Sequence, residues 1–150
     1  LLFTMPGVPS IYYGSEWGLE GKRTPYNDST LRPRLDLGQM SEKTAQVYLA
    51  DHLTRLASLR KSLSALRYGA YRQLCVSHEQ LAFARYTDSE TVAVLLNAAN
   101  SPNQMDVPVP TSFTSAVDML NGGERFPVQN GRLHIEAVYP NGCRILSLER

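Results

Sequence analysis

The sequence predicts an α+β chain in which a loop-rich opening and one helix precede an antiparallel β-sandwich. Three observations carry this. Residues 1–38 hold four of the nine prolines and five of the ten glycines. Neither residue occurs between Gly38 and Gly69, where leucines recur at three- and four-residue steps. After Gly69 the apolar period falls to two, punctuated by Asn-Gly pairs. A length of 150 residues allows one domain, or a small domain with a piece of another.

The chain opens Leu1-Leu2-Phe3-Thr4-Met5-Pro6, with no initiator Met, charged n-region or small-residue cleavage site, so it does not read as a signal peptide. An apolar terminus needs something to pack against. Leu1 therefore reads as a cut through a longer chain, with a processed N-terminus as the alternative. Pro6 to Glu16 reads as a turn, a short strand burying Ile11 and Tyr12, and a sharp exit at Gly14.

The stretch after Gly38 reads as one helix. Ser41 is its expected N-cap, with Glu42 set against the helix dipole. Leu49, Leu53, Leu56 and Leu59, with Tyr48 and Leu63, make one apolar face. Arg55, Arg60, Lys61 and Arg67 fall in the later turns, where cations suit the carbonyl end, and read as a solvated helix end. Gly69 closes the segment.

Strands are expected around Leu81–Phe83, Val92–Leu96, Met105–Val109, Leu133–Ala137 and Cys143–Leu148. Asn130-Gly131 is a two-residue hairpin signal, because a type I′ turn needs positive φ at both positions. Asn121-Gly122-Gly123 and Asn141-Gly142 punctuate in the same way. The spacing predicts about seven or eight strands. Pro108, Pro110 and Pro127 are expected on edges or at strand ends, since each lacks a ladder donor.

Composition removes several functions. Fifteen basic and fourteen acidic residues give a net charge of +1, which argues for no nucleic acid and no anionic membrane partner. No apolar run reaches the roughly 20 residues that span a bilayer. Cys75 and Cys143 are too few for a disulfide scaffold or a cysteine metal site, and read as two buried thiols. His52, His78 and His134 lie too far apart to form a metal site by spacing. Ser10, Ser15 and Ser41 lack the glycines of a nucleophile elbow. No cofactor and no metal are expected.

One segment says more. Gly7, Pro9, Tyr12, Tyr13, Gly14 and Glu16 fit the spacing Gly-x-Pro-x-x-Tyr-Tyr-Gly-x-Glu. This segment resembles the α-amylase superfamily of glycoside hydrolases, of the neopullulanase, maltogenic amylase and α-glucosidase type, C-terminal portion only. There it forms the eighth strand of a (β/α)8 barrel and the loop after it, on the active-site face. A loop, a helix, Leu59-Arg60-Lys61 and Leu66-Arg67-Tyr68-Gly69 follow in the family's order, and Tyr139 to Leu146 resembles the last hairpin of its domain C. The resemblance implies an α+β fragment. Residues 1–68 would be the last strand, loop and helix of a catalytic barrel, and residues 69–150 a domain C-like antiparallel β-sandwich.

Asp28 and Arg32 match the family's Asp-x-x-x-Arg loop pair, which hydrogen-bonds sugar hydroxyls on the non-reducing side of the cleavage point. A carboxylate accepts from hydroxyls and a guanidinium donates in a fixed fork. Asp28-Ser29-Thr30-Leu31-Arg32 departs from the usual wording in lacking a Pro and a second acidic residue. Glu16 is expected to position the loop through hydrogen bonds. Trp17 is read as a sugar-stacking ring or as packing beneath the loop.

Retaining glycosidases need two carboxyl groups about 5–5.5 Å apart. The family's lie after barrel strands four and five, with a supporting Asp after strand seven, so all would precede Leu1. Glu16, Glu20, Asp28 and Asp36 have no scaffold to set their spacing and pKa. The resemblance thus implies retaining hydrolysis of α-1,4 glucosidic bonds, with α-1,6 as a second linkage, in an intact parent whose substrate is α-glucan or maltodextrin. The chain alone carries no catalytic residue and is expected to be inactive. The expected partners are the missing barrel portion and a second copy, through the exposed N-terminal segment; residues 1–38 are expected to be loosely ordered, folded back on the sandwich, or paired with that copy. A cytoplasmic setting is favoured. Two other functions stay open: a non-catalytic β-sandwich binding carbohydrate or protein, and a scaffold that kept the family's C-terminal half. The first requires an exposed aromatic row on one strand face, and the sequence points to none.

Overall fold

Eight antiparallel strands follow Gly69, as the period of two predicts. The computed structural model describes the backbone of residues 1–41 and 44–150, and the side chains of residues 1–40 and 47–150. The strands are β1 (Ala70–Val76), β2 (Gln80–Tyr86), β3 (Thr91–Asn97), β4 (Asn103–Pro108), β5 (Ser115–Asp118), β6 (Arg125–Gln129), β7 (Arg132–Val138) and β8 (Gly142–Glu149). Before them come, among the described residues, 3-10 turns at Ser15–Trp17 and Ser29–Leu31 and three helical segments: α1 (Leu37–Ser41), α2 (Thr44–Ser62) and α3 (Ser64–Tyr68). Two compact units result. One is Leu1–Gly7 with Leu59–Arg150, and the other is Val8–Ser58.

In the larger unit the strand order is β1-β2-β3-β8-β5-β6-β7-β4. Its two end strands, β1 and β4, come close to one another. The sheet therefore wraps around one core, which includes Ala93 and Leu95 of β3, Met105 and Val107 of β4, Leu133 and Ile135 of β7, and Leu146 and Leu148 of β8. β4 and β7 alternate buried and exposed as expected of strands with one wet face. Asn130 and Gly131 both have positive φ, 51° and 72°, and close the β6–β7 hairpin at Gln129↔Arg132.

β2 and β3 behave differently, with both faces buried. Ala82, Ala93 and Leu95 enter the core, while Phe83, Val92 and Val94 lie buried on the opposite face. α3 packs on that side of β2 and β3. Arg85, 1% exposed, donates from there to the Thr4 carbonyl at 2.7 Å and the Gly69 carbonyl at 2.8 Å. Its Nε is buried without a partner, and burial, then the Arg60 charge, holds its guanidinium below its ordinary value. Arg60 donates to the carbonyls of Phe3 (2.9 Å), Met5 (3.2 Å) and Gly7. Arg60 is buried, contrary to the expected solvated helix end. The backbone of residues 3–7 has no ladder partner, so guanidinium donors satisfy its carbonyls instead.

The predicted single helix is interrupted. Leu63, buried at ψ 107°, separates α2 from α3. Glu90, from the β2–β3 turn, accepts from Ser64 Oγ (2.9 Å) and Ala65 N (2.6 Å), capping α3 from a distance in sequence no local pattern reveals. Gly69 ends α3 at φ −67°, not in the left-handed conformation expected of a glycine cap. It is glycine for space: a Cβ there would lie 2.5 Å from the Ala65 carbonyl oxygen and within 2.9 Å of Tyr86 backbone. The N-terminal cap also moves. Ser41 lies within α1, and Asp36 Oδ1 accepts from Gly38 N (3.0 Å) and Gln39 N (3.3 Å) instead. Glu42, and the side chain of Ser41, lie outside the described residues.

Pro108 ends the edge strand β4 as expected. Pro127 does not sit on an edge or a strand end. It lies inside β6 where that strand stops pairing with β5 (Ser115↔Pro127) and starts pairing with β7 (Val128↔Leu133). At that changeover a missing N–H is tolerated. Cys75 and Cys143 are free and half-buried. They stand three strands apart, about 14 Å at the usual spacing. The register puts them on opposite faces, since Cys75 aligns through Ala82 with Leu95 and Cys143 pairs with Leu96. Burial pushes the Cys143 thiol up.

One buried ionic cluster ties β8 to the β5–β6 turn. Arg144 donates to Asp118 (2.9 Å) and Glu124 (2.8 Å), and its Nε donates to the Ala137 carbonyl (3.1 Å). Asp118, fully buried, also accepts from Leu120 N, Asn121 N and Asn121 Nδ2.

Candidate functional site

The smaller unit, Val8–Ser58, carries the motif residues from Pro9 onward and the Asp28–Arg32 loop. The short strand expected at Ile11 and Tyr12 is absent: residues 8–12 form no strand, and Ile11 and Tyr12 are 42% and 56% exposed. A parallel strand takes its hydrogen bonds from neighbours on both sides, and none is present among the described residues. Gly14 does provide a sharp exit. At φ 80° it opens the Ser15–Trp17 turn, and a Cβ there would meet Leu19 at 2.7 Å.

The adjacent tyrosines act instead through their hydroxyls. Tyr13 donates to the Pro33 carbonyl at 2.9 Å and accepts from Leu35 N at 3.3 Å. Tyr12 accepts from Arg32 Nε at 2.8 Å. The two rings thus fix the loop from Arg32 to Leu35 upon the motif.

Within that loop, the 3-10 turn Ser29–Leu31 places Asp28 and Arg32 at its two ends. Asn27 organises the entry: its Oδ1 accepts from Ser29 N (3.1 Å) and Ser29 Oγ (2.7 Å). Thr30 closes the base by donating to the Lys22 carbonyl. A Cβ at Gly21 would lie 2.4 Å from the Thr30 carbonyl, so only glycine lets the two sides of the loop approach. Asp28 pairs with Arg23 at 3.4 Å. The Tyr12 hydroxyl holds the Arg32 guanidinium above its ordinary value, and the Asp28 carboxylate adds a smaller push the same way. Asp28 and Arg32 are thus electrostatic neighbours, both exposed, with Nε of Arg32 engaged and its terminal nitrogens left to serve as donors.

The other sequence candidates fall apart from this pair. Glu16 and Trp17 stand half-buried in the 3-10 turn, and Glu16 has no side-chain hydrogen bond among the described residues. The positioning bonds expected of Glu16 come from Tyr12 and Tyr13. Gly7, at φ 106°, belongs to the larger unit, and Pro9 is half-buried. His52, His78 and His134 are exposed on separate elements. Among the described residues no three His, Cys, Asp or Glu side chains are grouped to hold a metal ion, and no helix is long and apolar enough to cross a membrane. The geometry supplies donors and acceptors suited to hydroxyl groups.

A family model described as the neopullulanase-like C-terminal domain matches residues 71–145, which run from β1 into β8. A cyclomaltodextrinase of Geobacillus thermopakistaniensis (strain MAS1) is 30% identical over 148 residues, covering 97% of this chain and 24% of the relative. A cyclomaltodextrin glucanotransferase of Bacillus licheniformis is 28% identical over 149 residues, covering 98% of this chain and 18% of the relative. Among solved structures, Ttha1563 from Thermus thermophilus superposes with a TM-score of 0.81 at 31% identity, covering 97% of this chain and 29% of that one. An Anoxybacillus α-amylase superposes at 0.77 and 25% identity, covering 99% and 30%. The chain spans less than a quarter of the length of these two curated relatives.

Proposed function

The chain belongs to the neopullulanase-like C-terminal domain family, and from that premise we propose that it is the C-terminal part of a retaining α-glucan glycoside hydrolase. Its bonds would be α-1,4, and also α-1,6, glucosidic linkages. Residues 1–68 close a (β/α)8 catalytic barrel as its eighth strand, loop and helix, and residues 69–150 are its domain C. The catalytic acids lie upstream, and the chain alone hydrolyses nothing. α-Glucan or maltodextrin is the substrate of the intact enzyme.

Asp28 and Arg32 are the residues of this chain that meet the substrate. Asp28 accepts from sugar hydroxyls, and the terminal nitrogens of Arg32 donate to them. The observation that carries this reading is the Tyr12–Arg32 hydrogen bond. It joins the Tyr-Tyr-Gly segment to the sugar-binding pair, two features that the sequence separates by twenty positions. The match to cyclomaltodextrinase and glucanotransferase supports the substrate class. The exposure of Ile11, Tyr12 and Tyr13 supports a barrel that continues beyond this chain.

The test is made in the intact enzyme. Arg32→Ala removes the charge-assisted hydrogen bonds that its terminal nitrogens give to sugar hydroxyls. A loss of roughly 10- to 100-fold in kcat/KM on maltotriose is expected, with the melting temperature unchanged. Equal kcat/KM for Arg32→Ala, Asp28→Ala and the unaltered enzyme would overturn the assignment.

A further inference from the structure

β6 touches β7 through only two residue pairs, Val128↔Leu133 and Gln129↔Arg132, before it turns away to pair with β5. From His134 to Val138, β7 pairs with β4 alone. The two strands therefore splay apart, and the wedge between them is a groove of about 810 Å³. This is the size of a small-molecule site.

Arg144 forms the floor of the groove. It is 8% exposed, its guanidinium lies 5.0 Å from the Phe126 ring centre, and Nη1 and Nε are bound to Asp118, Glu124 and the Ala137 carbonyl. The remaining terminal nitrogen, Nη2, has no hydrogen bond among the described residues and keeps some accessible surface. The walls are planar polar side chains, Gln129, Asn130, His134 and Glu136. Tyr139, 67% exposed, adds an aromatic face at the rim. Donors and acceptors are mixed, and Glu124 and Glu136 offset the charges of Arg144 and of Arg132, which is itself paired with Asp106. An anion finds no net positive field here. A neutral polyol finds donors, acceptors and a ring on which its C–H faces stack.

We propose that this groove is a second glucan-binding site, on the β-domain and separate from Asp28 and Arg32, which holds two or three α-linked glucose units. The substrate class rests on the proposed function; the location does not. The site is an anchor for long glucans and contributes no chemistry. Rigid strands fix Gln129, His134 and Glu136, so little ordering is lost on binding.

The experiment is a titration of the full 150-residue chain with maltotriose, followed by calorimetry and by amide chemical shifts. Millimolar binding is expected, with shifts at Gln129–Glu136 and Tyr139. Tyr139→Ala, at an exposed position that leaves the fold intact, is expected to weaken binding at least about fivefold, while Tyr68→Ala, at an exposed tyrosine outside the groove, leaves it unchanged. Cellotriose, with β linkages, is the comparison ligand and is expected to bind more weakly. Absence of maltotriose binding overturns the groove. So does binding that Asp28→Ala abolishes and Tyr139→Ala leaves intact, an outcome that would leave the proposed function standing. Chemical shifts at the groove that depend on protein concentration and not on sugar would reassign the free edge of β7 to strand pairing between copies, and would likewise overturn it.

Discussion

Replacing Arg144 by methionine tests the reading of the β-domain most severely. The substitution keeps an unbranched stem of similar reach and deletes the charge. Asp118, with no exposed side-chain surface, would then hold its carboxylate without a cation. Losing one partner of a buried pair costs about 3–5 kcal/mol. Three donors remain on Asp118, from Leu120 N, Asn121 N and Asn121 Nδ2. They continue to solvate the charge, so the cost falls near the lower bound, about 3 kcal/mol. The bond from Nε to Ala137 and the contact with the Phe126 ring are lost too, which keeps the cost from falling further. In a β-domain of this size, roughly 4 °C of melting temperature accompanies each kcal/mol, so a fall of about 12 °C is expected. Thermal unfolding followed by far-ultraviolet circular dichroism measures the fall, and urea unfolding the free energy, with an unchanged m-value showing that the same surface unfolds. The double variant Asp118→Asn with Arg144→Met should regain part of the loss, because no charge is stranded. A loss below about 1 kcal/mol, or a double variant no more stable than Arg144→Met, would refute the argument.

Other expectations are narrower. Tyr13→Phe deletes both the donor to Pro33 and the acceptor for Leu35, and should speed amide exchange at Arg34 and Leu35 by roughly tenfold without moving the main unfolding transition. Gly69→Ala forces a methyl against Ala65 and Tyr86 backbone, and should cost about 1–3 kcal/mol in denaturant unfolding. Arg60→Met frees the carbonyls of Phe3, Met5 and Gly7, so limited proteolysis should cut within residues 1–7 while β1 to β8 stay intact. Arg132 holds the Asp106 carboxyl below its ordinary value of 3.8. Its contribution is therefore fully present above that value and is lost as the pH falls through the lower, folded-state value. Asp106→Asn should flatten this part of the acid limb of stability against pH, and high salt should shrink the difference, since the pair is exposed.

Local rules read the sandwich well. Asn130-Gly131 and the alternation of Met105-Val107 and Leu133-Ile135 each obey a constraint that acts within a few residues: positive φ in one case, a single wet face in the other. They misread β2 and β3, where alternation leads one to expect a wet face and both faces are buried, Ala82, Ala93 and Leu95 on one and Phe83 and Val94 on the other. The cover comes from residues 1–7 and 59–68, far off in sequence. The helix break at Leu63 is hidden for the same reason, because the cap of α3 is Glu90, twenty-six residues after Ser64. Arg60 and Arg144 resemble surface cations, since sequence cannot tell an arginine that binds carbonyls or a buried Asp from one in water. At the candidate site, Asp28 and Arg32 stand out only through resemblance. Their link to Tyr12 has no local signal, because hydrophobicity alone argues for burying a tyrosine, not for using its hydroxyl.

On the function proposed above, this chain supports a glucan-cleaving site without containing its acids. The purified 150-residue protein, incubated with maltodextrin and cyclodextrin, gives the most direct measurement through the reducing sugar it releases. No release above a blank is expected. Sustained release that disappears in Asp28→Asn or Glu16→Gln protein would contradict it, by locating the cleaving carboxylates within these residues.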